Sequence, residues 1–335
     1  MRVDYSHQSL PQLSDVMDPK ERSVKFSPTI LRLSQAQEER DLSRLRKGEH
    51  DLPHLSRSSS FTLVDLESCI SELPWHSKLV YHLKEDVDPA WSDMLLLACS
   101  FVSGVIDSVA FNAWGSFANM QTGNTVFIAL GVSGQPVHPP FRWAKALMAL
   151  ISFVTGILFF SHGSCLLKPL RRSTLITSFA IQTLAILTAA VLAQTGVVKR
   201  MPGLLTDPIE WMQLLPLSLL AFQAGGQIVT SRFVHMDEIP TVVLTTVLCD
   251  LLIDPRLFDG GVGWHVHPVR NRRIGTFLAL FIGAMISGFM SKKAGVASSL
   301  WLATGIKAAV TICWALWKGK GCDDKMKDGA THVHV

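Results

Sequence analysis

The sequence predicts an all-α integral membrane protein of six to eight transmembrane segments in two related halves, with a disordered N-terminal tail. Three observations predict it. Charge divides near residue 90: residues 1–90 hold 12 Lys or Arg and 15 Asp or Glu, while the remainder holds 19 basic and 12 acidic residues, mostly between apolar runs. Several of those runs exceed the roughly 18 apolar residues that mark a membrane helix. Finally, polar residues sit inside an apolar stretch, as Gly104-Val-Ile-Asp107 and then Asn119-Met-Gln-Thr-Gly-Asn124. From Asp93 to Gly134 the only other charge besides Asp93 is Asp107. In a bilayer such groups need partners, so they mark a candidate site.

Residues 1–90 mix Ser, Pro, Arg, Glu and Asp with few aromatics and no sustained period. Too little apolar area is available to offset the entropy of ordering, so this stretch is expected to be a disordered tail. Met1 to Leu10 is polar and supplies no apolar signal core, and the early acids Asp4, Asp15, Asp18 and Glu21 argue against a transit peptide, which places the tail in the cytosol. Arg57-Ser-Ser-Ser60 and Arg32-Leu-Ser34 are candidate phosphorylation sites, each adding about −1.5 to −2 charge, set against an inert solvated tail.

Eight apolar segments follow within a membrane domain at 91–317: 93–114, 120–134, 144–166, 173–196, 211–231, 240–253, 274–291 and 295–317. A polar tail, 318–335, closes the chain. Most segments are long enough to cross a hydrocarbon core of about 30 Å at about 1.5 Å per residue. The second and sixth are short and begin with a polar or proline-containing knot, which suits re-entrant or half-helical segments as well as crossing ones. Each follows a span with Gly and a polar residue inside it: Gly104 and Asp107 in one, Gly225, Gly226 and Gln227 in the other. Two full spans joined by a basic loop come next in both cases. The pattern suggests repeats at 91–198 and 209–317, offset by about 120 residues.

Topology turns on whether the short segments cross. With eight crossings and a cytosolic N-terminus, 12 Lys or Arg fall inside and six outside; with six crossings a different set again divides 12 to six. The positive-inside rule therefore favours both termini in the cytosol under either arrangement and does not separate them. Four crossings per half would make the halves parallel; three would invert one relative to the other.

Lys307 is the second unusual residue, near the centre of the last span between Gly305-Ile306 and Ala308-Ala309. A central Lys costs roughly 2.5–3.5 kcal/mol on insertion scales. Asp107 lies at comparable depth in the first span, so an ion pair across the bundle is one expectation; a lysine reaching toward the interface is the other. Asn119, Gln121, Thr122 and Asn124, with Gly115 and Gly123, suit either an unwound helix presenting polar groups to a solute or a tight surface turn. Gln223 and Gln227 beside Gly225 and Gly226 suit close helix packing with inter-helical hydrogen bonds. The candidate pathway or solute-binding residues are Asp107, Asn119, Thr122, Asn124, Gln227 and Lys307.

Other signals are weak. His265-Val-His267 and His332-Val-His334 have no third or fourth ligand nearby in sequence, and the six scattered cysteines form no CxxC, so no metal site, disulfide framework or cofactor is expected. Trp91, Trp143, Trp211, Trp264, Trp301 and Trp317 lie mostly near segment ends, as interfacial anchors do. No Walker loop, HExxH or GxSxG occurs, so no enzymatic activity is expected.

At Gly104-x-x-Asp107, followed by Asn119-Met-x-Thr-Gly-Asn124 and the later two-span pattern, the chain resembles the YoaK-like family, multi-pass membrane proteins classed as domain of unknown function 1275. The likeness covers roughly residues 90–317. The polar N-terminal tail lies outside it and looks like the elaboration of a fungal member. The second half has Thr241-Val242 where the first has Thr122-Gly123. The resemblance implies a membrane topology and no activity. From the residues, the expected function is movement of a small solute across a lipid bilayer, with no nucleic-acid partner. A membrane scaffold or assembly factor without transport is the alternative.

Overall fold

Among the described residues, six helices are long and apolar enough to cross a membrane. The computed structural model describes residues 75–134, 141–198, 210–258 and 266–319. The described residues all belong to one compact unit, 60–335. The phosphorylation candidates, Cys69, Cys322, Trp264, His265 and His332-Val-His334 lie outside the described residues.

In chain order the helices are α1 (Trp75–Lys84), α2 (Ser92–Trp114), α3 (Gln121–Val132), α4 (Arg142–Leu167), α5 (Arg172–Gln194), α6 (Leu214–Phe233, entered through a 3-10 turn at Trp211–Gln213), α7 (Thr245–Leu252), α8 (Pro268–Ala294) and α9 (Val296–Leu316). Helices α2, α4, α5, α6, α8 and α9 are the spans. Helix α3 is 12 residues and α7 is eight. At about 1.5 Å per residue they reach about 18 and 12 Å, well short of the roughly 30 Å hydrocarbon thickness.

Polar contacts at the two ends of the bundle fix the path of the chain. At one end, Arg272 at the start of α8 meets Asp93 at the start of α2 at 3.2 Å and Glu238, just after α6, at 3.8 Å. At the other end, Arg142 Nε at the start of α4 donates to Gly115 O, just past α2, at 2.6 Å. There Lys145 of α4 also donates to Gln213 Oε1, at the entrance of α6. The chain therefore leaves α2 and enters α4 at one end, and leaves α6 and enters α8 at the opposite end. Both short helices re-enter rather than cross, and α2 runs antiparallel to α6.

Helix α2 packs along α8, α4 along α6, and α5 against both α9 and α6. Two of these crossings share one device. A Cβ on Gly104 would strike the backbone of Leu280 and Ala284, and one on Gly283 the backbone of Phe101. In the other pair, a Cβ on Gly225 would strike Phe153 and Ile157, and one on Gly156 would strike Phe222. Between membrane helices hydrophobic driving force is lacking, so small residues that let backbones touch gain van der Waals contact. Val102, Val105, Ile106, Val109, Leu217, Leu220 and Leu300 form the main core. Ser287 Oγ donates to Val105 O at 3.1 Å, a bond of the kind worth about 0.6–2 kcal/mol between membrane helices.

The structure differs from the sequence reading over 75–90. Helix α1 forms there because Arg172, 1% exposed at the start of α5, reaches out to hold it. Arg172 Nη1 donates to His82 O at 2.6 Å and to Glu85 Oε2 at 2.9 Å, and Nη2 donates to Trp317 O after α9. Trp317 Nε1 donates to Asp88 O at 2.9 Å. The segment before α2 and the segment after α9 thus lie at the same end of the bundle.

Candidate functional site

Residues 115–120 build the first tip. Gly115 ends α2 in the left-handed region, at φ 77, which glycine adopts without a steric penalty, and its N–H caps Phe111 O. The chain then turns back along α2. The N–H groups of Ala118 and Asn119 donate to Asp107 Oδ1 at 2.9 and 2.8 Å, so the carboxylate, seven residues from the end of α2, pins the tip inside the bundle. Asn124 closes the same loop. It accepts from Phe117 N–H at 3.1 Å and donates from Nδ2 to Phe117 O at 2.7 Å and to Gln121 Oε1 at 3.0 Å. Its side chain thereby stands in for a peptide partner of Phe117.

The second tip is held differently. Ser231 Oγ lies 3.0 Å from Met236 O and 2.6 Å from Ile239 O, tying the loop after α6 to the helix end. Thr241, fully buried, has a positive φ of 60 and an Oγ1 without a partner. For a β-branched residue this backbone is a strained one, of order 1–3 kcal/mol.

The expected Asp107–Lys307 ion pair is absent. Lys307, fully buried on α9, donates to Gln227 Oε1 at 2.5 Å, approaches Cys99 Sγ at 3.9 Å and lies 5.1 Å from the centre of the Phe179 ring. Nor does it reach toward an interface. Between the two charges runs a chain of neutral groups. Gln227 Nε2 donates to Ser103 Oγ at 2.7 Å and Cys99 O at 3.2 Å; Asn119 Nδ2 donates to Ser103 O at 3.0 Å; and Asn119 N–H reaches Asp107. The pair is replaced by a relay because Gln227, on α6, occupies the space between α2 and α9. Asp107 Oδ2 and Asn119 Oδ1 are buried with no hydrogen-bond partner.

The two tips meet at a cavity of about 280 Å³. The first contributes Asn119, Thr122 and Gly123, the second Val242, Leu244 and Thr245, and Phe153 and Ile228 complete the wall from α4 and α6. Of the six residues singled out in the sequence, Asp107, Asn119, Gln227 and Lys307 fall in one hydrogen-bonded chain. Thr122 lines the cavity with Asn119, while Asn124 turns into its own loop and does not line the cavity.

Sequence reasoning missed Ser103, Cys99 and Lys145. Cys99, Ser103 and Asp107 are spaced by four, one stripe of a helix, a signal that was available. Lys145 reads as a loop charge beside Arg142, yet it is buried and donates to Trp114 O at 3.3 Å as well as to Gln213. A second cavity, of about 300 Å³, lies among the ends of α2, α5 and α8 at Trp114, Gln194 and Ala294 and the start of α9.

Residues 95–313 match the model of a family described as a protein of unknown function, DUF1275. The chain belongs to the DUF1275 family. The match spans α2 to most of α9, so both tips, the relay and the cavity fall inside the DUF1275 region, and α1 with its Arg172 latch to Glu85 begins before it. Neither the curated proteins nor the solved structures contain a match to the chain. The DUF1275 membership fixes a family without an activity, and the functional reading rests on the site.

Proposed function

We propose that the protein moves a small solute across the membrane through the cavity at which the two re-entrant tips meet. The observation that carries this reading is the convergence of α3 and α7, entering from opposite ends of the bundle, on one open cavity that Thr122 and Thr245 border from exposed positions. Short helices that begin within the membrane, at the junction of two oppositely oriented sets of spans, are the arrangement in which secondary transporters hold their solutes. Irregular backbone at that depth is tolerated where it is buried in protein or lines a cavity; Ala118, Asn119 and Val242 are buried, and Phe117, Met120, Val243 and Leu244 line the cavity.

The end of the bundle that holds α1 is the cytosolic one in this reading. Lys168, Arg171, Arg172, Arg232, Arg256, Arg270, Arg272 and Arg273 gather there, against Arg142, Lys145, Lys292 and Lys293 at the other. One observation favours the alternative, a non-transporting scaffold: Asn124 and Gln227 spend their hydrogen bonds on the protein itself. Reconstitution of the full chain in proteoliposomes, with uptake and counterflow of a broad panel of anionic, cationic and neutral solutes, decides between them. Uptake above protein-free vesicles supports transport; no movement of any solute supports the scaffold.

A further inference from the structure

We infer that α1 is an interfacial helix, resting on the bilayer where headgroups meet acyl chains, with Trp75, Leu79, Val80 and Leu83 as its lipid-facing side. The last turn of α1 fixes its level along the bundle. His82 Nδ1 lies 2.7 Å from Arg172 Nη1, at the start of α5. A guanidinium only donates, so the imidazole proton sits on Nε2, which donates to Ala315 O in the last turn of α9 at 3.0 Å. Just beyond α1, the Val87 N–H donates to Leu170 O at 2.9 Å and the Asp88 N–H to Lys318 O at 3.2 Å. All of these partners belong to the ends of spans or to the chain adjoining them, and helices that cross a bilayer end at its interface. Exposed apolar side chains on the neighbouring span ends, Leu316 on α9 and Leu166 and Leu167 on α4, put lipid at that level.

The second observation is the helix surface itself. Residues four apart share a stripe, so Trp75, Leu79 and Leu83 align, with Val80 beside them. Trp75 is 77% exposed, and Leu79 and Val80 are each 49% exposed. Tyr81 and Lys84, also exposed, lie off the stripe with Ser77, where their polar ends stay in water. Helix α1 has 10 residues, about 15 Å, too short to cross a bilayer and below the roughly 12–15 residues at which an isolated helix becomes stable in water. Among the described residues, its hydrogen bonds to the bundle fall at His82, in the final turn. The stripe over the earlier turns therefore needs a cover, and the bilayer at that level supplies one. A tryptophan and aliphatic residues on one face, with a lysine and a serine off it, form the pattern of a helix lying in the interface plane. The stripe is also continuous with the lipid-facing belt, since His82 joins α1 to the turn of α9 that carries Leu316.

The test uses the full chain in phosphatidylcholine vesicles, with its six cysteines replaced and a spin label on Leu79→Cys or Ser77→Cys. The label at Leu79→Cys should relax more with oxygen, which concentrates in lipid, than with a water-soluble nickel chelate. At Ser77→Cys, two residues away and on the opposite side of the helix, the order should reverse. Ready access of the chelate at both positions would place α1 in water. Access of neither reagent at Leu79→Cys would mean that protein, such as a second copy of the chain, covers the stripe. Either result overturns the interfacial helix. Amide exchange in phosphatidylcholine nanodiscs tests it without a label. Leu79→Glu puts a carboxylate on the lipid side, so exchange over residues 75–84 should speed about tenfold or more, with α5 and α9 unchanged. Ser77→Glu, on the water side, should not speed it. A glutamate on a water-exposed face would leave the helix as it is, so an unchanged rate in Leu79→Glu also overturns the proposal.

Discussion

Gln227 accepts the Lys307 ammonium on Oε1 at 2.5 Å and, from the other end of its amide, donates to Ser103 Oγ at 2.7 Å. The glutamine meets the demand of a buried cation and ties it to Ser103, whose carbonyl oxygen accepts from the Asn119 amide that in turn adjoins Asp107. Removing it leaves a buried ammonium with a thiol and an aromatic face as its remaining partners. Hydrogen bonds to charged groups contribute about 1.5–3 kcal/mol, so Gln227→Leu should destabilise the protein by about that much. Lys307→Met, which removes the charge together with its demand, should recover much of the loss. In a double-mutant cycle read by unfolding in mixed micelles, Gln227 and Lys307 should couple by more than about 0.5 kcal/mol. Asp107→Asn and Lys307→Met should couple less, because no direct contact joins the two. Stronger coupling between Asp107 and Lys307 than between Gln227 and Lys307 would show that the relay is not what links them.

The glycine crossings give a second prediction. Gly104→Ala and Gly225→Ala push a methyl into the backbone of the facing helix, and overpacking of this kind costs about 1–3 kcal/mol. Gly288→Ala and Gly305→Ala meet open space and should stay within about 0.5 kcal/mol. Thermal unfolding of the four variants in one detergent checks the contrast, which disappears if α2–α8 and α4–α6 do not touch through these residues.

Asn124 is a structural residue of the site rather than a wall of it. Asn124→Ala removes both bonds to Phe117 and leaves part-buried peptide groups unpaired, below the about 1–3 kcal/mol each that full burial would cost. Amide exchange at residues 115–120 should accelerate while exchange in α5 and α9 is unchanged. Uniform acceleration over the whole bundle would mean that Asn124 supports the fold and not the tip.

Re-entry predicts which positions share a side. Single cysteines at Gly134 and Lys292, introduced after the free cysteines Cys99, Cys165, Cys249 and Cys313 and the remaining two are replaced, should be labelled from one face of sealed vesicles. Cysteines at Lys168 and Phe258 should be labelled from the other. Labelling of Gly134 and Lys292 from opposite faces would mean that α7 crosses, and the inverted arrangement would fail.

The Arg172 latch is testable by proteolysis. Arg172 is buried against Glu85, and breaking a buried pair by removing one partner costs about 3–5 kcal/mol at full burial, less here because Glu85 is about a quarter exposed. Arg172→Met should free α1, so trypsin cuts after Lys84 at a concentration that leaves this one bond uncut in the natural protein. Unchanged protection would mean that α1 is held by its own packing.

The helical membrane class, the six long spans and the polar knots are legible in the linear chain. Apolar length and the placement of Asp107, Asn119, Gln227 and Lys307 are properties of the linear chain, and a bilayer leaves few structures that satisfy their backbone. The linear chain left open whether segments 120–134 and 240–253 cross, because length and charge counts fit both. The fold resolves it through Arg142 on Gly115 and Arg272 between Asp93 and Glu238, contacts that join ends far apart in sequence. It also decided the partners of the buried charges. Depth along a helix places Asp107 and Lys307 at similar levels, but which side chain lies between them depends on how α6 packs against α2 and α9, and that is set by side-chain shape at the helix crossings.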